Sequence, residues 1–268
     1  MNQGVRKVKP DRRDYSFLHT YAGSTEGLPD TFSIYDGRPI PDQRTYDRRF
    51  NPPLRPGPMA CTGETQTFIA GLEDGALYDP MDFYDATPPG VDGIGRDVRQ
   101  SLKTAVERGF KRADGVRGFN RAAYFHVYGS GKIDDFDAMR IALWMHQNSK
   151  RGISLVTYFY QEMLPDQFGN IQLPTFNTKE ATLHNYLITG WRKRNGVEEL
   201  ECIPWLGMES GDKGKMYIPR PIFNKLINQP YTGAFILINE DSTLPITLGW
   251  VALWNHLVAF IRQLYLNL

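Results

Sequence analysis

The chain is poor in cysteine, in net charge and in long apolar runs near its start. Only two cysteines, Cys61 and Cys202, occur among 268 residues, so a disulfide framework is excluded and a reducing compartment such as the cytoplasm fits. A formal net charge of +1 gives no electrostatic reason to expect binding to nucleic acid. No apolar segment follows the basic residues at 1–7, so we expect no secretory signal.

The composition is that of an ordinary globular protein. Hydrophobic residues make up 41% and charged residues 23% of the chain, which is long enough for one two-lobed domain or two small ones. Helical patterns dominate residues 61–112, whereas short β-branched and aromatic segments dominate residues 123–245. Helices that precede strands, without strict alternation, predict an α+β fold with segregated lobes.

The chain is organised around the segment that begins at Cys61. Residues 56–58 are Pro-Gly-Pro and predict a loop, and the apolar residues after Cys61 repeat at helical spacing (Phe68, Ile69 and Leu72). The sequence therefore places a thiol at the start of a helix, where the helix dipole favours the nucleophilic thiolate. A buried, inert cysteine is the alternative at this stage.

Several segments occur in a characteristic order along the chain. They are the opening 10–17 with Leu28-Pro29, the Pro-Met-Ala-Cys-Thr corner at 58–62, the helices at 78–84 and 95–110, the Leu-His-Asn-Tyr-Leu-Ile-Thr-Gly-Trp strand at 183–191, and the segment that contains Trp205, Gly207 and residues 211–219. In this order they resemble the papain-like (C1) cysteine peptidases, in particular their compact bacterial and viral members. The resemblance covers roughly residues 9–235.

This resemblance implies a papain-like two-lobed fold and a Cys–His dyad. It predicts a papain-like domain over 1–243, with a mainly helical lobe at 61–122 and a mainly β lobe at 123–243. It also implies that Cys61 attacks a carbonyl and that His184 transfers the proton, with a peptide as substrate. No cofactor or metal is expected, because His126 and His146 have no metal-ligand spacing with the cysteines.

One departure from the family pattern concerns the oxyanion site. The family places a Gln six residues before the cysteine, where this chain has Arg55. Gln43 lies in an Asp-Gln pair, but aligning it with that position requires an insertion of about a dozen residues. Arg55, Gln43 and the family-like Trp205 are therefore candidate auxiliary residues beside Cys61 and His184, and losing one oxyanion donor costs roughly 10²–10³ in rate.

The third catalytic position also departs. The family has an Asn just before Ser-Trp-Gly, and this chain has Pro204 or Ile203 there, neither of which is expected to orient an imidazole. Glu201 or Glu209 could orient His184 instead. Losing the orienting group costs about 10⁴ in a serine protease, so the sequence predicts weak or lost peptidase activity.

The C-terminal segment 244–268 is the second informative stretch. Apolar residues repeat at helical spacing over 247–268 (Trp250, Leu253, Trp254, Leu257, Phe260, Ile261 and Leu264). The length would cross a bilayer, but Arg262 and neighbouring polar residues oppose this. We expect this helix to dock on a protein partner or a second copy, with packing on its own domain and membrane insertion as the alternatives.

Two classes of function follow from the sequence. The first is a structural subunit of a larger assembly, for example a phage virion or tail component, in which the papain-like domain has weak or no activity; location would then be cytoplasmic or in the virion. The second is an active cysteine peptidase or acyl-transfer hydrolase that uses Cys61 and His184. Fold analogy alone does not choose between them.

Overall fold

The computed structural model describes residues 17–20, 24–35, 61–74, 76, 78–89, 96–112, 115–118 and 123–238. The predictions made for Gln43, Arg55 and the segment 244–268 lie outside these residues. Within the described ranges, none of the helices combines the length and the apolar character that a membrane crossing requires.

The described residues form six α-helices and nine β-strands. In chain order they are α1 (Phe17–Thr20), β1 (Phe32–Ser33), α2 (Cys61–Asp74), α3 (Pro80–Ala86), α4 (Val98–Arg108), β2 (Phe110–Lys111), β3 (Arg117–Gly118), β4 (Ala123–His126), α5 (Asp135–Met145), β5 (Ile153–Phe159), β6 (Thr182–Arg194), β7 (Val197–Ile203), β8 (Met216–Pro219), α6 (Arg220–Ile227) and β9 (Gly233–Ile238). Short 3₁₀ turns follow α5 and β5.

One antiparallel sheet organises the second half of the chain. Its strand order is β4-β9-β5-β6-β7-β8, and the short β1 pairs with β6 at Gly190 and Trp191. Strand β5 is buried over its whole length, and β6 is buried from Leu183 to Trp191. The predicted α+β fold is confirmed, with α1 to α4 before the strand-rich half of the chain and α5 and α6 within it.

Local sequence signals explain where the early helices begin and end. Asp79 accepts hydrogen bonds from the N–H groups of the first turn of α3, and Pro80 takes the first helical position. Gly109 ends α4 with a φ of 69°, which only glycine adopts without strain. Asp97 is the N-cap of α4, and its carboxylate accepts a hydrogen bond from the N–H of Gln100.

The acidic cluster at the start of α5 is part of an ion-pair network. Asp134 caps α5 by accepting a hydrogen bond from the N–H of Asp137. The carboxylates of Asp134 and Asp137 also bind the guanidinium of Arg220, each at 2.7 Å, and Glu198 binds the same guanidinium. The cluster therefore fastens α6 to α5, a contact between helices that the sequence did not predict.

Helix α2 is fastened to the sheet at both of its ends. In its first turn the hydroxyl of Thr65 donates to the carbonyl of Asn185 on β6 at 3.2 Å. In its last turn the carboxylate of Glu73 binds Arg151, just before β5, at 2.6 Å, and both side chains are buried. The helix that begins with Cys61 is thus held along its length against β5 and β6.

Candidate active site

Cys61 is the first residue of α2, as the sequence predicted, and only 2% of its surface is exposed. The N–H groups in the first turn of any helix lack partners within the helix, so they are available to stabilise negative charge. The second cysteine, Cys202, lies fully buried on β7, and burial raises the pKa of its thiol well above the ordinary value. Cys202 is therefore a core residue of the sheet.

His184 lies near the start of β6, and its imidazole is oriented by the main chain. Its Nε2 lies 2.9 Å from the carbonyl oxygen of Pro204. A carbonyl can only accept, so Nε2 carries the hydrogen of the neutral ring and Nδ1 carries the lone pair. Nδ1 is buried and has no hydrogen-bond partner among the described residues, which leaves it as the basic nitrogen of the site.

The surroundings of His184 keep its imidazole neutral. Burial lowers the pKa of His184 to about 4, although the hydrogen bond to Pro204 acts in the opposite direction. Two aromatic rings flank the imidazole, Phe159 at 5.6 Å and Tyr186 at 4.8 Å between ring centres, the latter edge-on. Since they replace water around the ring, the imidazolium form is disfavoured at neutral pH.

The fold brings the first turn of α2 against the strand that carries His184. Thr65 lies one helical turn after Cys61, and its hydroxyl bonds the carbonyl of the residue that follows His184. Burial raises the pKa of Tyr186 far above its ordinary value, and the nearby thiols of Cys202 and Cys61 contribute in the same direction. The thiol and the imidazole are therefore carried by two elements in direct contact.

Trp205, a predicted auxiliary residue, fixes this contact rather than offering a catalytic group. Its indole N–H is shared between the Thr65 hydroxyl at 2.9 Å and the Asn185 carbonyl at 3.0 Å. Its ring also packs edge-on against Phe68 of α2 at 5.2 Å. Trp205 adopts a φ of 60°, which is uncommon for a residue with a bulky side chain.

Two predictions about the third catalytic position were wrong. The sequence indicated that neither Ile203 nor Pro204 could orient an imidazole, because their side chains have no acceptor, yet the Pro204 carbonyl does so. Glu201 was a candidate orienting group, but its carboxylate binds Thr189 and Lys215, each at 2.8 Å. The missing Asn side chain is replaced by an acceptor of the backbone.

Other polar residues of the site were missed by the sequence analysis. Gln66, Ser154 and Asn185 are completely buried, and they join α2 to β5 and β6. The available signal was the polar residue within an otherwise apolar strand, at Ser154 and at Asn185. Among the described residues, no group of three acidic, histidine or cysteine side chains could hold a metal ion.

The fold of this chain is that of the papain-like cysteine peptidases, as the resemblance implied. Xylellain, a cysteine protease from Xylella fastidiosa, superposes with a TM-score of 0.62 at 14% identity over 89% of this chain and 96% of its own. A procathepsin B from Trypanosoma congolense gives 0.55 at 13% identity, covering 87% and 85% of the two chains. The bromelain protease of Ananas comosus gives 0.52 at 14% identity, covering 80% and 100%.

Comparison of the sequence alone finds no match to a known family or protein. No family model matches the chain, and no curated protein sequence matches it either. At 13–14% identity the likeness to the solved structures shows the fold and leaves the activity to be argued from the site itself.

Proposed function

We propose that this protein is a papain-like cysteine hydrolase of low reactivity, with Cys61 as nucleophile and His184 as general base. The observation that carries the proposal is the hydrogen bond from His184 Nε2 to the Pro204 carbonyl. It supplies the orientation that the absent Asn side chain would have given, and it leaves the Nδ1 lone pair available as the base. The solved structures with this fold are cysteine proteases, so a peptide or a related acyl group is the proposed substrate.

The proposed reaction uses only groups of the chain and water. The Cys61 thiol gives its proton to His184 Nδ1 as the sulfur attacks the substrate carbonyl. The imidazolium then protonates the leaving amine, which departs and leaves a thioester on Cys61. His184 takes a proton from water, the resulting hydroxide attacks the thioester, and the thiol is restored as the acid is released. The first-turn N–H groups of α2 are the oxyanion donors in this scheme.

Low reactivity follows from the environment of the imidazole. A Cys–His ion pair requires an imidazolium at neutral pH, whereas burial lowers the pKa of His184 to about 4. The resting imidazole of the proposed dyad is therefore neutral. Charge must be created within the site during each attack, which raises the barrier relative to a preformed ion pair.

The test is alkylation of Cys61 by iodoacetamide between pH 3.5 and 9. All variants carry Cys202→Ala, so that Cys61 is the labelled thiol, and His184→Ala is compared with the parent. We expect the rate to rise through about pH 4, where the imidazole loses its proton, and to fall at least tenfold in His184→Ala, since a general base contributes about 10²–10⁴. A rate that ignores His184 and rises only near pH 8.5, the value of a free thiol, contradicts the proposal.

A second role, as a subunit of a larger assembly, is proposed from the sequence of residues 244–268. The apolar repeat over 247–268 favours a protein partner or self-association. The test compares the mass in solution of the full chain with that of a chain ending at residue 243. The role is supported if the full chain forms a defined oligomer and the shortened chain is a monomer. Self-association is contradicted if both the full and the shortened chain are monomeric and equally soluble.

A further inference from the structure

A buried polar cluster connects the helix that starts with Cys61 to the strand that carries His184. The amide Nε2 of Gln66 on α2 donates to the Ser154 hydroxyl on β5 at 3.0 Å. That hydroxyl donates in turn to Asn185 Oδ1 on β6 at 2.9 Å. All three side chains are completely buried. Gln66 lies five residues after Cys61, and Asn185 directly follows His184.

The cluster has unmet hydrogen-bonding capacity on both sides of the hydroxyl. Gln66 Oε1, an acceptor, and Asn185 Nδ2, a donor, are buried without a partner among the described residues. Exchanging O and N in both amides reverses the two hydrogen bonds through Ser154 but again leaves one donor and one acceptor unused. Thr62 Oγ1, one helical turn before Gln66, is likewise buried and unpartnered.

We propose that Gln66, Ser154 and Asn185 are positioning residues for the dyad, a role that rests on the proposed function. Their hydrogen bonds join α2 to β5 and β6 through side chains that are completely buried. A hydrogen-bonded network in a buried site resists displacement of the elements that carry it, because breaking it would leave buried polar groups without partners.

The positions of these residues explain how they act on the dyad. Because α2 is rigid, a shift of Gln66 relative to Asn185 displaces Cys61 relative to His184 by a similar distance. A misplacement of about 1 Å costs about 10²-fold in an enzymatic rate. The contacts of Thr65 and Trp205 with the Asn185 backbone limit this shift. A change of tenths of an ångström, and hence about a tenfold loss, is the expected result of removing one amide.

The positioning role is tested by Cys61 alkylation and by substrate turnover in Gln66→Met, Asn185→Leu and the double variant. We expect about a tenfold loss of the His184-dependent rate in each single variant, an unchanged pH midpoint, and no further loss in the double variant, because the network acts as a unit. Ser154→Ala, the smallest change, keeps both amides and serves if the larger substitutions fail to fold.

Thr189→Val is the matched control on the same strand. It removes a buried hydroxyl that bonds Glu201 at 2.8 Å, so it lowers the unfolding midpoint without touching the network. We expect its alkylation rate to stay within about twofold of the parent. Equal rate losses in Thr189→Val and Gln66→Met would overturn the positioning role. If alkylation of the parent did not depend on His184, the proposed function would fail. The network itself can be tested separately by the unfolding midpoint. Shifts of this midpoint that add up in the double variant, Gln66→Met with Asn185→Leu, would refute the coupling between the two amides.

Discussion

The buried neutral imidazole of His184 predicts a specific loss of stability in weak acid. Burial lowers its pKa from 6.5 to about 4. In the unfolded chain the imidazole is solvated and takes up a proton as the pH falls below 6.5, whereas in the folded protein it stays neutral until about pH 4. Between these two values the unfolded state binds more protons, so the free energy of unfolding falls as the pH falls.

The magnitude follows from this interval. Between pH 7 and pH 5, the preferential protonation of the unfolded state lowers the free energy of unfolding by about 2 kcal/mol, and by about 3 kcal/mol at pH 4. His184→Gln removes the titrating group and keeps an N–H donor within reach of the Pro204 carbonyl. We therefore expect this variant to lose about 2 kcal/mol less than the parent between pH 7 and pH 5.

The assay is urea denaturation at pH 7, 6 and 5, with the m-value checked for constancy. Only the change with pH is compared, so any cost of the substitution that is independent of pH cancels. Cys61→Ala is the control, because it alters the site and leaves the imidazole in place, and it should keep the pH dependence of the parent. Parallel pH dependences for the parent and His184→Gln would refute the buried, neutral state of His184.

Three further predictions concern the contacts that position the site, each measured by urea denaturation. Arg151→Met removes the buried ion pair with Glu73 and should cost about 3–5 kcal/mol, whereas Glu73→Leu with Arg151→Met should cost less; an equal cost would contradict the pairing. Trp205→Phe removes the indole N–H shared by α2 and β6 and should cost about 1–3 kcal/mol; no change would mean that this bond is unimportant. Gly190→Ala places a methyl group against the Phe32 carbonyl and should cost about 1–3 kcal/mol by displacing β1, and an unchanged midpoint would refute that close approach.

The sequence predicted those parts of the fold that depend on local chemistry. Asp79 and Pro80 indicate the start of α3, and Gly109 indicates the end of α4, because helix capping requires particular residue types at particular positions. The strand around His184 was predicted from its apolar, β-branched residues. The extension of this strand to Arg194 was not predicted, because its last three residues are polar. They are held by cross-strand partners such as Glu199.

Contacts between distant segments could not be predicted in the same way. Helix α6 has no side-chain N-cap, and its link to α5 depends on Arg220 meeting carboxylates more than eighty residues earlier in the chain. In the site, the positions of Cys61 and His184 followed from the family resemblance. The path from Gln66 through Ser154 to Asn185 exists only after three separate elements pack together.

The replacement of the orienting Asn shows why the residue type at one position was a poor guide to this site. The imidazole needs an acceptor for its Nε2 hydrogen, and the oxygen of an amide side chain and the oxygen of a peptide bond are the same chemical group. Pro204 lacks a polar side chain, but its carbonyl meets that need at 2.9 Å. The low reactivity that we propose for this protein is therefore better ascribed to the burial that lowers the pKa of His184 to about 4 than to the missing Asn. On this argument, exposing the imidazole to solvent should raise the reactivity of Cys61, whereas placing an Asn at position 203 should not, because Nε2 already has its acceptor.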